Sequence, residues 1–361
     1  MKIIIAGGGT GGHLFPAVAL GEELVRERPD TEVLYVGTRY GFEAKWLPTT
    51  NYRYELFDVH GLLGGRGAIA RAKSVVELMR AVVLSRATLK KFGANLVVTA
   101  GGYASAPMGV AAILSRVPLV LMEQNTTPGF SNRLLWRFAD RICVAFDETA
   151  PYFKSSKVVV TGIPVRYTPK PDRQADSDSP IQILVLGAST GAHRLNLGVL
   201  KAFTIWGNSV INFAITHQTG EADEELVRAE YRNLPLQAEV FPFIDDVASA
   251  LQRSDLVIAR AGAGTVTDIA LSARPAIFVP YPFHRDQQQL LNAKVIERVG
   301  GAVIVKDDNE LGVNLAREIK RLTADRNLLA EMGSRAHGAV PADAARKVAQ
   351  VCFQLVEKKS A

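Results

Sequence analysis

Short apolar runs closed by glycine or polar turns alternate along the chain with longer stretches of helical spacing. Residues 2–6, 33–36, 95–99, 119–122, 141–144 and 157–160 read as strands in the first half. Residues 181–186, 210–216, 240–244, 256–258 and 276–279 do so in the second. Residues 14–27 carry Leu14, Ala17, Leu20, Leu24 and Val25 near helical spacing, and Pro16 suits a first turn. Residues 68–92, 131–138, 221–233, 247–252, 266–272, 307–340 and 342–358 also read as helices, with Thr265 and Asn125 as candidate N-caps. Residues 50–67 are loop-like. Strands alternating with helices predict an α/β protein with parallel sheets.

The pattern restarts once. Gly7-Gly8-Gly9-Thr10-Gly11-Gly12-His13 and Gly187-Ala188-Ser189-Thr190-Gly191-Ala192-His193 both read G-x-x-T-G-x-H directly after an apolar strand. A chain of 361 residues is long for one domain. The polar, proline-containing stretch 169–180 between the halves predicts a linker. Its Asp176-Ser-Asp178 has the form of a metal-binding DxD but lies in the linker, so we read it as solvated and expect no metal.

Composition narrows the partners. A net charge of +6 and a pI of about 9.3 favour anionic ones: nucleotides, acidic membrane surfaces or nucleic acid. Cys143 and Cys352 have no ligand-like spacing, which argues against a disulfide framework or structural zinc. No run reaches the roughly 18 apolar residues of a membrane span, so membrane contact is expected to be peripheral. Residues 68–92 carry Arg71, Lys73, Arg80, Arg86, Lys90 and Lys91 against the single acid Glu77, beside Leu62-Leu63. This is either a core helix with a solvated basic face or a helix resting on an anionic bilayer; the helix alone favours the first.

The candidate chemistry centres on residues 255–292. An apolar strand end leads into Arg260-Ala-Gly-Ala-Gly-Thr265, then a helix with Asp268 inside it, then a strand and Gln287-Gln288-Gln289. Bare N–H groups at a helix start attract phosphate, a carboxylate one turn in can accept from ribose hydroxyls, and amides can hold sugar hydroxyls. One such unit can hold a nucleotide sugar. The first loop matches GxGxxG through Gly7, Gly9 and Gly12, but the second strand ends in Gly37-Thr38-Arg39, without the acid a dinucleotide site wants. Glu123, Gln124 and Asn125 fall at a strand's carboxyl end, where parallel sheets bind ligands.

Taken in order, GGGTGGHLFPAVAL, VGTRYGFEA, GGYASAP, EQNTTPGFSNRLL, GIPVR, GASTGAHRLN, QTG, FIDDVASAL, RAGAGTVTD and RDQQQLLNA resemble the MurG family of glycosyltransferases, family 28, across nearly the whole chain. The resemblance implies a GT-B fold: two Rossmann-like domains with parallel sheets facing each other across a cleft. It implies an N-terminal acceptor and membrane-facing domain over residues 1–164, a UDP-GlcNAc-binding domain over 165–341, and a last helix, 342–358, returning to the first. The implied reaction moves N-acetylglucosamine from UDP-GlcNAc to the 4-hydroxyl of the muramyl sugar of lipid I, with inversion and with no cofactor or metal. Implied partners are UDP-GlcNAc, lipid I, the anionic inner-membrane surface on its cytoplasmic face, and other cell-wall and division proteins, with no nucleic acid.

By position, the resemblance puts Ile244 against uracil, Ala263, Gly264, Thr265, Val266 and Thr267 around diphosphate and ribose, and Asp268 on the ribose hydroxyls. Arg166 and Ser189 line the nucleotide and diphosphate, and Gln288 with Gln289 holds the sugar. Thr10, Gly11, Gly12 and Asn125 close over the donor sugar. His13 is the expected general base, because an imidazole at a helix start is held neutral; Glu123 is the second candidate, and phosphate or acceptor binding is the alternative role for His13. Leu62, Leu63, Arg66, Ile69, Arg71 and Lys73 match the membrane-facing patch. Met122 stands where many members have His, Asp268 where Glu is usual, and Ala188, Thr190 and Ile163 depart in their loops. Other acceptors, an epimerase, or a non-catalytic UDP-sugar scaffold are the competing functions.

Overall fold

A computed structural model describes residues 1–58, 68–166, 179–187, 191–207, 212–284 and 286–360. Thus Leu62, Leu63, Arg66, Ser189, Asp176 and Asp178 lie outside the described residues, as do the side chains of Ile69, Arg71 and Lys73. The chain divides into two compact units, Met1–Arg166 with Pro341–Ala361, and Tyr167–Val340.

The first unit is built on β1 (Lys2–Ala6), β2 (Glu32–Thr38), β3 (Tyr54–Phe57), β4 (Leu96–Thr99), β5 (Leu119–Glu123), β6 (Arg141–Val144) and β7 (Val158–Val160). All pair in parallel, in the order β3-β2-β1-β4-β5-β6-β7. Its helices are α1 (Gly11–Glu27), α2 (Phe42–Trp46), α3 (Ala68–Phe92), α4 (Ser105–Leu114) and α5 (Phe130–Leu135), with α13 (Ala344–Ser360) from the end of the chain. Side chains alternate across the sheet. Ile3 and Ile5 face a core shared with α1 and α13, where Leu20, Val348 and Cys352 meet. Ile4 and Ala6 face the opposite core, with Leu89 of α3, Met108 of α4 and Leu135 of α5.

The second unit repeats the plan with β8 (Ile181–Leu186), β9 (Phe213–Gln218), β10 (Gln237–Phe241), β11 (Leu256–Ala259), β12 (Ala276–Phe278) and β13 (Ala302–Ile304). The parallel order is β10-β9-β8-β11-β12-β13. Its helices are α6 (His193–Trp206), α7 (Glu224–Tyr231), α8 (Val247–Arg253), α9 (Ala263–Leu271), α10 (Gln288–Arg298), α11 (Leu311–Thr323) and α12 (Arg326–His337). Ile183, Val185, Ile215 and Ile258 pack against Val199 and Phe203 of α6 and Leu315 of α11.

Several sequence expectations need correction. β3 lies inside the stretch read as loop; its Tyr54 and Glu55 left only a short apolar signal. The long helix expected over 307–340 is two helices, because the Asp325 side chain accepts from Asn327 N and caps a new start. α9 begins at Ala263, with Gly262 as N-cap, so Thr265 lies within the first turn. Gly129, and not Asn125, precedes α5.

Candidate active site

In each sheet the strand order reverses once, at β1/β4 in the first unit and β8/β11 in the second. Loops leaving the carboxyl ends of such neighbours diverge and leave a crevice for ligand. The loops after β1 and β11, both singled out from sequence, lie at these two places.

In the first unit, residues 7–10 leave β1 and enter α1, whose start carries no side-chain cap. Residues 100–104 leave β4 beside them. Gly102 has φ +83°, and a Cβ there would sit 2.0 Å from the Gly8 carbonyl oxygen, so only glycine lets the two loops touch. His13 lies in the first turn of α1, half-buried, with Nδ1 3.3 Å from Thr10 Oγ1. Its ring lies on Gly101, where a Cβ would come within 2.6 Å of Cδ2. Desolvation lowers the His13 pKa below its ordinary value; a hydrogen bond to the Gly8 carbonyl and the charge of Glu43 oppose the shift. The lowered pKa favours the neutral ring.

Glu123 ends β5, buried. Its carboxylate accepts from Asn125 N at 3.0 Å, Gly129 N at 2.8 Å and Asn132 Nδ2 at 2.8 Å. Burial raises its pKa and these hydrogen bonds pull it back. A carboxylate so engaged holds the loop after β5 in shape, which suits a positioning group better than a proton acceptor. The same loop is tied by Thr149 Oγ1 to the Asn125 carbonyl at 3.1 Å and by Gln124 Nε2 to the Ala100 carbonyl at 2.9 Å. Met122 is buried in the core. Arg166 also belongs to this unit, pairing with Glu22 at 3.6 Å and lying 5.3 Å over the Trp46 ring.

In the second unit, residues 260–262 leave β11 and enter α9. No side chain caps this end, and the first helical bond runs from Val266 N to the Gly262 carbonyl, at 2.9 Å. The N–H groups of Ala263, Gly264 and Thr265 thus belong to the bare first turn, where the helix dipole favours an anion. Gly264, Thr265 and Asp268 lie half-buried, while Val266 and Thr267 are buried. Because the side chains of Val266 and Thr267 are buried, a contact from either to a ligand would run through the backbone.

Behind this loop sits a charge cluster that sequence reading missed. The Asp307 carboxylate, 0% exposed, accepts from Arg260 Nη2 at 2.8 Å and Arg194 Nε at 2.6 Å. Arg260 is buried, donates to the Val279 carbonyl at 3.0 Å and lies 5.9 Å from the Tyr281 ring centre. Two guanidiniums face one carboxylate, so the cluster has a net positive charge. Asn292 of α10 donates to the Ala261 carbonyl at 3.3 Å and ties that helix to the loop. Gln289 Oε1 accepts from Tyr281 N at 2.9 Å, and Gln288 Nε2 donates to Asp286 at 2.8 Å. Ile244 follows β10, in a loop anchored by Gly220 N on the Pro242 carbonyl at 3.1 Å.

Residues 3–144 match the glycosyltransferase family 28 N-terminal domain and residues 182–349 its C-terminal domain. A Geobacter sulfurreducens protein described as UDP-N-acetylglucosamine--N-acetylmuramyl-(pentapeptide) pyrophosphoryl-undecaprenol N-acetylglucosamine transferase is 39% identical over 353 residues, covering 96% of this chain and 97% of that one. An Anaeromyxobacter protein of the same description is 38% identical, covering 99% and 94%. The crystal structure of Acinetobacter baumannii MurG matches with a TM-score of 0.79 at 30% identity, over 98% and 99% of the two chains. A UDP-GlcNAc 2-epimerase from Neisseria meningitidis, 11% identical with a TM-score of 0.66, shares the fold alone. The fold class is GT-B, and the chain belongs to glycosyltransferase family 28, in the same family as these N-acetylglucosamine transferases.

Proposed function

We propose that the chain transfers N-acetylglucosamine from UDP-GlcNAc to the 4-hydroxyl of the muramyl sugar of lipid I, giving lipid II and UDP. The observation that carries the donor assignment is the bare start of α9 with a net positive cluster behind it, buried Arg260 and Asp307 joined by the half-exposed Arg194. The diphosphate sits against the N–H groups of Ala263, Gly264 and Thr265. Asp268, one turn along the same helix, takes the ribose hydroxyls, and the Ile244 backbone takes uracil. Gln288 faces the sugar, and Gln289 holds the Tyr281 loop beside it. Thr10, Gly11, Gly12 and Asn125 serve the sugar and acceptor from the first unit. Arg166 and Ser189 remain proposed diphosphate contacts on the strength of the family resemblance.

His13 removes the proton from the attacking hydroxyl. The new bond forms between the acceptor oxygen and the anomeric carbon as the bond to the diphosphate oxygen breaks. The configuration inverts, and the electron pair leaves on UDP. Charge grows on the diphosphate during this step, so donors fixed before reaction stabilise the transition state more than the ground state. Glu123 shapes the loop that carries Asn125.

We also propose peripheral attachment to the cytoplasmic face of the membrane. No helix among the described residues is long and apolar enough to cross one. Val76, Met79 and Val83 recur on one face of α3 and are exposed, Val83 by 66%, with Arg80 and Arg86 exposed nearby. An outward apolar stripe flanked by arginines fits an anionic bilayer surface. Leu62, Leu63, Arg66, Ile69, Arg71 and Lys73 remain proposed membrane contacts on the strength of the family resemblance.

The test mixes purified protein, radiolabelled UDP-GlcNAc, detergent-solubilised lipid I and a chelator. Label should enter the lipid phase only with lipid I present. UDP-GlcNAc binding without transfer would favour another acceptor or a scaffold, and release of free sugar from donor alone would favour an epimerase.

A further inference from the structure

The interior of the first unit holds an anion for which the reaction as described gives no role. Glu43, on the short helix α2, is 0% exposed. Its carboxylate accepts from Gly9 N at 2.7 Å, Thr38 N at 2.8 Å and Thr38 Oγ1 at 2.8 Å. All three partners are neutral, so the buried charge is held by dipoles. Three glycines vacate the space around it: a Cβ on Gly8, Gly37 or Gly41 would lie 2.3, 2.4 or 2.2 Å from the Glu43 side chain. Phe42 N, next in the chain, donates to the Gly9 carbonyl at 3.3 Å. The glycine loop is thus gripped from behind through both the N–H and the carbonyl of Gly9. Burying a carboxylate is costly, and a neutral side chain of similar shape fills such a space at less cost.

We propose that Glu43 is a positioning residue for the transfer step, holding residues 8–10 in the shape that seats the His13 ring against Gly8, Thr10 and Gly101. This assignment rests on the reading of His13 as the base. Glu43 is fully enclosed and touches no substrate; it acts through the loop and through its charge. Its charge raises the His13 pKa, against the desolvation that lowers it. Its negative charge favours the imidazolium that forms as the acceptor gives up its proton.

The test compares wild type, Glu43→Gln, His13→Ala and the double variant, using UDP-GlcNAc and detergent-solubilised lipid I, with turnover followed against pH and folding checked by thermal melts. Glu43→Gln should lower kcat about tenfold, as expected when a reacting group is misplaced by a fraction of an ångström. The KM for UDP-GlcNAc should stay within about twofold. The acid limb of kcat/KM should move to lower pH, because loss of the negative charge makes the imidazole easier to deprotonate. In the His13→Ala background the same change should cost little more. Thr38→Val removes one of the three donors but keeps the charge; it should lower kcat less and not move the acid limb to lower pH, wild-type kcat in it counts against the positioning role, and it serves if Glu43→Gln does not fold. An unshifted acid limb with wild-type kcat, or an equal loss in both backgrounds, overturns the proposal while a slow His13→Ala leaves the base standing. Full activity in His13→Ala withdraws the base and this assignment with it.

Discussion

Two loops leave the reversal of a parallel sheet and open a helix without a side-chain cap, one after β1 in the first unit and one after β11, on the other side of the reversal, in the second. They differ in what stands behind them. The loop after β1 is backed by the buried carboxylate of Glu43 and carries a half-buried His13. The loop after β11 is backed by Arg260, Asp307 and Arg194, with one positive charge to spare. The same backbone device therefore faces opposite fields. Positive charge behind a helix start strengthens it as a diphosphate site. Negative charge behind a helix start works against anion binding and favours an imidazole that must accept a proton. Two uncapped helix starts thus stand before charges of opposite sign, which is the basis of the different work proposed for them.

The strongest way to break this comparison is His13→Ala, which should lower kcat about a hundredfold or more and leave the KM for UDP-GlcNAc close to that of wild type. Steady-state transfer to lipid I measures both, and near-normal turnover would strip the first loop of its proposed role. Next in size is Asp307→Ala. It leaves Arg260 buried beside nothing of opposite charge and should destabilise the second unit by about 3 kcal/mol, read from denaturant unfolding. A stability within about 0.5 kcal/mol of wild type would mean the cluster is not structurally important.

A third test is pH. His217 is buried, with Nε2 3.1 Å from Asn196 Oδ1 and Nδ1 2.9 Å from Tyr231 Oη, and burial pushes its pKa down to about 3. Between that value and the ordinary 6.5 the unfolded chain binds the proton and the folded chain does not. His217 thus contributes stability above pH 6.5 that is lost progressively as pH falls toward about 3. Melting temperature should fall across that window, and His217→Asn should flatten the dependence. The smallest effect expected is Met79→Asp with Val83→Asp. The pair should cut co-sedimentation with anionic vesicles about threefold to tenfold while transfer in detergent stays unchanged.

Strand positions were legible because parallel strands buried on both faces leave apolar runs, as in residues 2–6, 141–144 and 181–186. β3 escaped because a sheet-edge strand with exposed Tyr54 has a mixed pattern. The bare helix starts were legible from glycine, but the start of α9 was misplaced by three residues, since Gly262 and Thr265 both suit a cap. The charges behind the loops were not legible. Asp307 lies 47 residues from Arg260 and Glu43 lies 34 from Gly9, and the nearby Thr38 gives no spacing that marks an acid as buried. The glycines at 8, 37 and 41 were the available sign, and their meaning appears only when the three converge on one carboxylate. Glu123 was noticed as a strand-end acid, yet its commitment to Asn125, Gly129 and Asn132 needed the fold.

The most direct test of the division between the loops is UDP binding by titration calorimetry, with His13→Ala and Arg260→Met side by side. His13→Ala should bind UDP within about twofold of wild type, whereas Arg260→Met should bind about tenfold more weakly, in line with loss of a charge that supports a phosphate site. Equal weakening in both variants, or unchanged binding in Arg260→Met, would contradict that division.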